Sequence, residues 1–268
     1  DAGGMGLGMK GNGWKAWWKR EWSTWARAVL LACLPMIACL VYCASRGQGI
    51  AQVYLPCSER NDELIYYKQV EAILGYGYPR GYFGFNESHA LKLSFDAWTP
   101  QMMLPWVLWG LLFGWNLLSP VLCNLFLLTA AMLLFGLLAR PSWRQTVIMA
   151  FLFFLFQPFS WYMLCGMPEI GCISLLLVFY GAAMAMLRRE RAWLLALMFL
   201  LAGLLTLMRP YLLLFLFLPG CLWLRREQAQ GKKAGEGSGT PGRGERGSGR
   251  LPGGKWRAVL GTGAVFAA

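Results

Sequence analysis

The feature that most constrains this chain is a succession of apolar runs, most of them near the length needed to cross a bilayer. A membrane helix takes about 20 mostly apolar residues. Runs of that kind lie at 26–44, 119–139, 146–164, 170–187, 192–208 and 211–224, and another begins at Trp256. The 211–224 run is short, follows Pro210 and contains Pro219, which predicts a bent or tilted helix. Composition points the same way. The chain is 57% hydrophobic and 14% charged, against roughly 25% charged residues in an ordinary soluble domain. A disordered chain, a disulfide-dense mini-protein and a water-soluble globule are all excluded. The reading is an all-α, polytopic transmembrane helical protein with a long external first loop carrying interfacial helices.

The run 102–118 is just as apolar, yet it contains Pro105, Gly110, Gly114, Trp106, Trp109 and Trp115, with Trp98 shortly before. Tryptophan enrichment fits an interface better than a hydrocarbon core. The basic residues support leaving this run uncrossed. With 102–118 at the surface, only Arg46, Arg60, Lys68, Arg80, Lys92 and Arg209 of 25 Lys and Arg fall opposite the N-terminus. A crossing would move Arg140, Arg144, Arg225 and their neighbours and erase that asymmetry. The positive-inside rule then makes the N-terminus cytoplasmic and 45–119 one long external loop. The expected location is the cell membrane. Acidic residues lean outward: Glu59, Asp62, Glu63, Glu71, Glu87, Asp96 and Glu169. The net charge of +12 is thus a statement of orientation, and no nucleic-acid partner is implied.

Four segments follow. Residues 1–25 place Trp14, Trp17, Trp18, Trp22 and Trp25 at helical spacing, with Lys15, Lys19 and Arg20 on other faces. This predicts an amphipathic helix in the headgroup layer. Residues 26–224 form the six-span domain. Residues 225–255, rich in Gly, Lys, Arg and Ser, read as a flexible basic cytoplasmic linker that touches anionic lipid. Residues 256–268 start a seventh span, so the chain reads as a fragment of a longer protein. Of the eight cysteines, only Cys57 and Cys165 fall between spans, and they read as free thiols. No metal-type pairing of cysteines is visible.

A loop as long as 45–119 is usually functional. Its polar residues open a helical pattern: Asn61, Asp62 and Glu63 precede an apolar stripe at Leu64, Tyr67, Val70, Ile73 and Leu74. Asn61 can cap that helix, and the two carboxylates favour its positive end. Capping alone is therefore a sufficient structural role for the pair. An aromatic and glycine-rich stretch follows, with Tyr78, Tyr82 and Phe83. Such rings stack on sugars or anchor at the interface. His89, the only histidine, reads as a solvated loop residue beside Glu87.

The order of these features resembles the GT-C glycosyltransferases, in particular their bacterial protein-mannosyltransferase and aminoarabinose-transferase branch. The matching features are a cytoplasmic N-terminus, one span, and Asp62-Glu63 with Tyr66 and Tyr67 early in the external loop. Further along come Phe113-Gly114 before the second span, Glu169 opening the fourth, and Arg209-Pro210 ending the fifth. The chain departs from the family at Trp98-Thr99-Pro100, where a His/Lys-Pro-Pro signature is frequent. The resemblance implies transfer of a sugar from a polyprenyl-phosphate carrier to a hydroxyl at the outer face, in cell-envelope chemistry. Its partners are the lipid-linked donor and membrane lipid.

An alcohol needs a base to become a good nucleophile. Asp62 is the expected base, with Glu63 second and Glu169 orienting the acceptor or the base. The leaving phosphate needs positive charge, and Arg209, Lys68, Arg80 and Lys92 are the candidates. Tyr78, Tyr82 and Phe83 would stack on sugar. No cofactor is called for, although Asp62, Glu63 and Glu169 together offer a small oxygen ligand set for a divalent cation. The competing class is a transporter or flippase of a lipid-linked sugar. It would place charges near the bilayer midplane, where these spans have none.

Overall fold

A computed structural model describes residues 9–53, 62–80, 93, 99–156 and 161–236. Among these the regular structure is helical, with no strand. The elements are α1 (Met9–Arg46), a 3-10 turn (Ile50–Gln52), α2 (Asp62–Tyr76), α3 (Pro100–Phe113), α4 (Ser119–Ala139) and α5 (Trp143–Leu155). They continue with α6 (Glu169–Arg189), α7 (Ala192–Met208), a 3-10 helix (Pro210–Leu216) and α8 (Phe217–Glu236). Residues 1–217 form one compact unit and residues 218–268 a second. The described part of the second unit is helical to Glu236, so residues 225–236 of the expected linker continue a helix.

Three helical stretches are long and apolar enough to cross a membrane: Glu21–Arg46 within α1, all of α4 and all of α6. The chain is an all-α polytopic membrane protein. Helices α3, α5 and α7 are apolar but shorter. The 14 residues of α3 reach about 21 Å at 1.5 Å per residue, short of a ~30 Å hydrocarbon core. Two expected spans differ locally. The 146–164 run is helical only to Leu155 before the undescribed stretch 157–160, and the 211–224 run opens as a 3-10 helix behind Pro210. The expected interfacial helix at the N-terminus is not separate either. It runs without a break into the first span as one helix of 38 residues, with Pro35 inside it.

Local chemistry sets the ends. Helix α4 opens with a proline in its first turn and stops where Arg140 turns left-handed, at φ 47°. Ser142 and Gln145 close a capping box on α5, with Ser142 N–H donating to Gln145 Oε1 at 2.8 Å and Gln145 N–H to Ser142 Oγ at 3.3 Å. Helix α7 ends because Arg209 precedes Pro210 and is driven to extended geometry, φ −142° and ψ 111°.

The core lies between α1, α4 and α6, with Leu31, Leu128, Phe135 and Ile170 buried in one cluster. In lipid, close packing rather than water exclusion holds such helices together, and small residues permit it. A Cβ on Gly136 would stand 2.6 Å from Ala28 Cα, so the α1 and α4 backbones touch there. Gly181 gives α6 the same access to α4, where a Cβ would lie 3.2 Å from Phe135 Cα. The outward faces stay apolar, with Val41, Phe126, Val147 and Leu200 exposed, as lipid contact requires.

Contacts between helix ends define the two ends of the bundle. At one, Arg140 at the end of α4 pairs with Glu21 of α1, and Arg188 near the end of α6 donates to the Leu138 and Ala139 carbonyls. At the other, the start of α6 meets the end of α7.

Candidate functional site at the Glu169 end

Glu169 is the first residue of α6, and Arg209 caps the last turn of α7. Both helix ends suit the charge they hold. A carboxylate is favoured at a helix N-terminus and a guanidinium at a C-terminus. The two side chains form an ion pair through Arg209 Nη2 and Glu169 Oε1, at 17% and 19% side-chain exposure. Arg209 Nη1 also donates to the Tyr211 hydroxyl at 2.7 Å, and its guanidinium lies 6.0 Å from that ring's centroid. Burial pulls the arginine's pKa down, but the bond to Tyr211 and the charge of Glu169 outweigh it and the net shift is upward. The guanidinium stays charged. The second oxygen of Glu169, Oε2, is buried and accepts no hydrogen bond among the described residues.

Helix α2 brings the loop carboxylates to this end. Asp62 opens the helix and is half-buried. Its charge is felt at both Glu169 and Tyr66. Tyr66 is buried at 4% exposure. Its phenol is pushed up to about 12, first by burial and then by the charges of Glu169 and Asp62, with Arg209 opposing. It is therefore a neutral O–H donor. Tyr66, Cys172 and Met208 share one buried cluster beneath the charges.

Two side chains hold the frame. The Thr99 hydroxyl reaches the last carbonyls of α7, those of Leu207 and Met208, the latter at 3.1 Å. It ties the long loop to the helix end that carries Arg209. Asn124, fully buried in α4, accepts from Trp106 Nε1 at 3.0 Å. Its amide donates toward the carbonyls of Tyr162, Cys165 and Met167 at 3.3, 3.2 and 3.0 Å. That clasp fixes α3 and the segment leading into Glu169 on one helix.

The remaining sequence candidates divide. Glu63 is buried at 6% exposure in the first turn of α2. Lys68 pairs with Glu71 at 2.6 Å along its own helix. Arg80 lies over the Tyr76 ring at 5.1 Å, and Tyr78 sits 6.1 Å from the same ring. Lys92, Tyr82, Phe83, His89 and Cys57 lie outside the described residues. Cys165 is buried, and its thiol donates to the Tyr162 carbonyl at 3.4 Å. Among the described residues no group of three or more His, Cys, Asp or Glu is arranged to hold a metal ion, so Asp62, Glu63 and Glu169 do not form that ligand set. Tyr211 and Asn124 were not expected from the sequence. Tyr211 follows Arg209 by two positions, a signal of proximity that spacing does offer. The partners of Asn124 are remote, and nothing local announces them.

No protein family, curated protein or solved structure matches the chain.

Proposed function

We propose that this protein is a membrane glycosyltransferase of the GT-C type, moving a sugar from a polyprenyl-phosphate carrier to an acceptor hydroxyl. One observation carries the reading: Asp62, Tyr66, Glu169 and Arg209, from three separate elements, gather at one end of an apolar bundle. A buried charge is costly in such surroundings, and a carboxylate close to a cation suits the transfer of a sugar from a phosphate to a hydroxyl.

In the proposed reaction Asp62 takes the proton of the acceptor hydroxyl. The hydroxyl oxygen attacks the anomeric carbon as the bond from that carbon to the phosphate oxygen breaks. The electron pair leaves with the polyprenyl phosphate, whose charge Arg209 holds. No general acid is needed, since the leaving group is already an anion, and the displacement inverts the anomeric centre. Glu169 Oε2 has the unfilled capacity to accept from a substrate hydroxyl, while its other oxygen keeps Arg209 in place.

The test is a transfer assay in proteoliposomes with labelled polyprenyl-phosphate sugars. Asp62→Asn should lower turnover by at least ~10²-fold, the typical contribution of a positioned base, with donor binding and unfolding temperature unchanged. Glu63→Gln should cost less. Wild-type turnover in both variants, or no transfer by the wild type from any carrier-linked sugar, would sink the assignment.

A further inference from the structure

The opposite end of the bundle has its own charged feature. A small open recess lies where α4 ends and α6 turns into α7. Four arginines line it: Arg140, Arg188, Arg189 and Arg191, together with Leu138 and Trp193. Four like charges in one recess repel unless something compensates them. Two are compensated by the fold. Arg140 forms a two-bonded pair with Glu21, at 3.2 and 3.3 Å. Arg188 donates both terminal nitrogens to the Leu138 and Ala139 carbonyls, the negative end of α4. Arg189 and Arg191 are exposed, and neither has an ion-pair partner among the described residues. Glu190 lies between them in sequence but turns left-handed, at φ 43°, and does not line the recess.

We infer that this recess holds the phosphate of an anionic membrane lipid, clasped by Arg189 and Arg191. Guanidinium forks match phosphate oxygens in geometry and charge. The level of the site selects a lipid over a free ion. It sits where two membrane-crossing helices end, and Trp193, 52% exposed beside it, is a headgroup-depth residue. Leu137 and Leu138, half-buried at the end of α4, lie beside the arginines.

The experiment uses the full chain in nanodiscs of phosphatidylcholine with graded phosphatidylglycerol, with bound lipid read by native mass spectrometry and by unfolding temperature. Phosphatidylglycerol should be retained and should raise the unfolding temperature of the wild type. The double substitution Arg189→Gln with Arg191→Gln should weaken that retention roughly thirtyfold, from the contribution of each basic side chain near the surface. Arg191→Gln alone should give part of the loss. Arg144→Gln, an exposed arginine at the same end but outside the recess, should leave it intact. Equal retention by wild type and double variant would overturn the proposal. So would inorganic phosphate in detergent matching the effect of phosphatidylglycerol, since the site would then take a free anion.

Discussion

Arg209 sits where three local constraints meet: a helix end, a proline that forbids the next turn, and a carboxylate on the neighbouring helix. Its pair with Glu169 is mostly shielded from water, so removing one partner strands the other charge. Arg209→Met alone should cost about 2–3 kcal/mol, and combining it with Glu169→Gln should recover much of that. A double-mutant cycle on denaturant unfolding in micelles would measure the coupling, and additive losses would show that the pair contributes no stability. Tyr66 gives a pH signature at the same place. Its folded-state value of about 12 stands above the usual 10.0, so the stability it contributes is fully present below pH 10. That stability is lost as pH rises through about 12, on the order of 2 kcal/mol in all. Ultraviolet titration of Tyr66→Phe should lose a tyrosine that ionises near pH 12 in the wild type, and an unchanged titration would contradict the assignment. The charged residues here were legible in the sequence because a carboxylate or arginine beside an apolar run is conspicuous. Tyr66 was marked in the sequence by its place beside Asp62 and Glu63, but its burial, at 4% exposure, was not legible there.

At the scale of elements, glycine spacing decides how closely the helices approach. Gly136 faces the Ala28 backbone, and a Cβ would stand 2.6 Å from its Cα. Gly136→Ala should therefore push α1 from α4 and cost about 1–3 kcal/mol. Gly203 in α7 has nothing within 4 Å of its added Cβ, so Gly203→Ala should be neutral or stabilise by up to ~1 kcal/mol through its better helix propensity. Thermal unfolding of the two variants side by side checks this, and equal effects would contradict the packing account. The long apolar stretches of α1, α4 and α6 were legible from run length alone. The boundaries at 9–46, 143–155 and 217–236 were not. Whether a Trp-rich amphipathic segment breaks from the span after it, or continues as one helix, depends on tertiary contacts rather than on propensity. The clasp of Asn124 was equally hidden, because its partners lie 18 to 43 positions away.

At the scale of the molecule, the two ends differ in chemistry as well as position. The Glu169 end carries mixed charge close to buried aromatics; the Arg140 end carries a recess lined by arginines. If the orientation read from the basic residues holds, single cysteines at 62, 169 and 209 should all react with a membrane-impermeant maleimide added outside intact cells. Labelling of 169 only after the membrane is opened would reverse the arrangement. The clasp at Asn124 also has a consequence in time. A ribosome makes the chain from its N-terminus, so α4 leaves the ribosome before residues 162–167 do. Asn124 then has Trp106 behind it and none of the three carbonyls that its amide later faces. A bare amide in lipid is costly. The seat of α4 is therefore completed from downstream, when the segment entering α6 arrives, and the same event that settles Asn124 delivers Glu169 to its place.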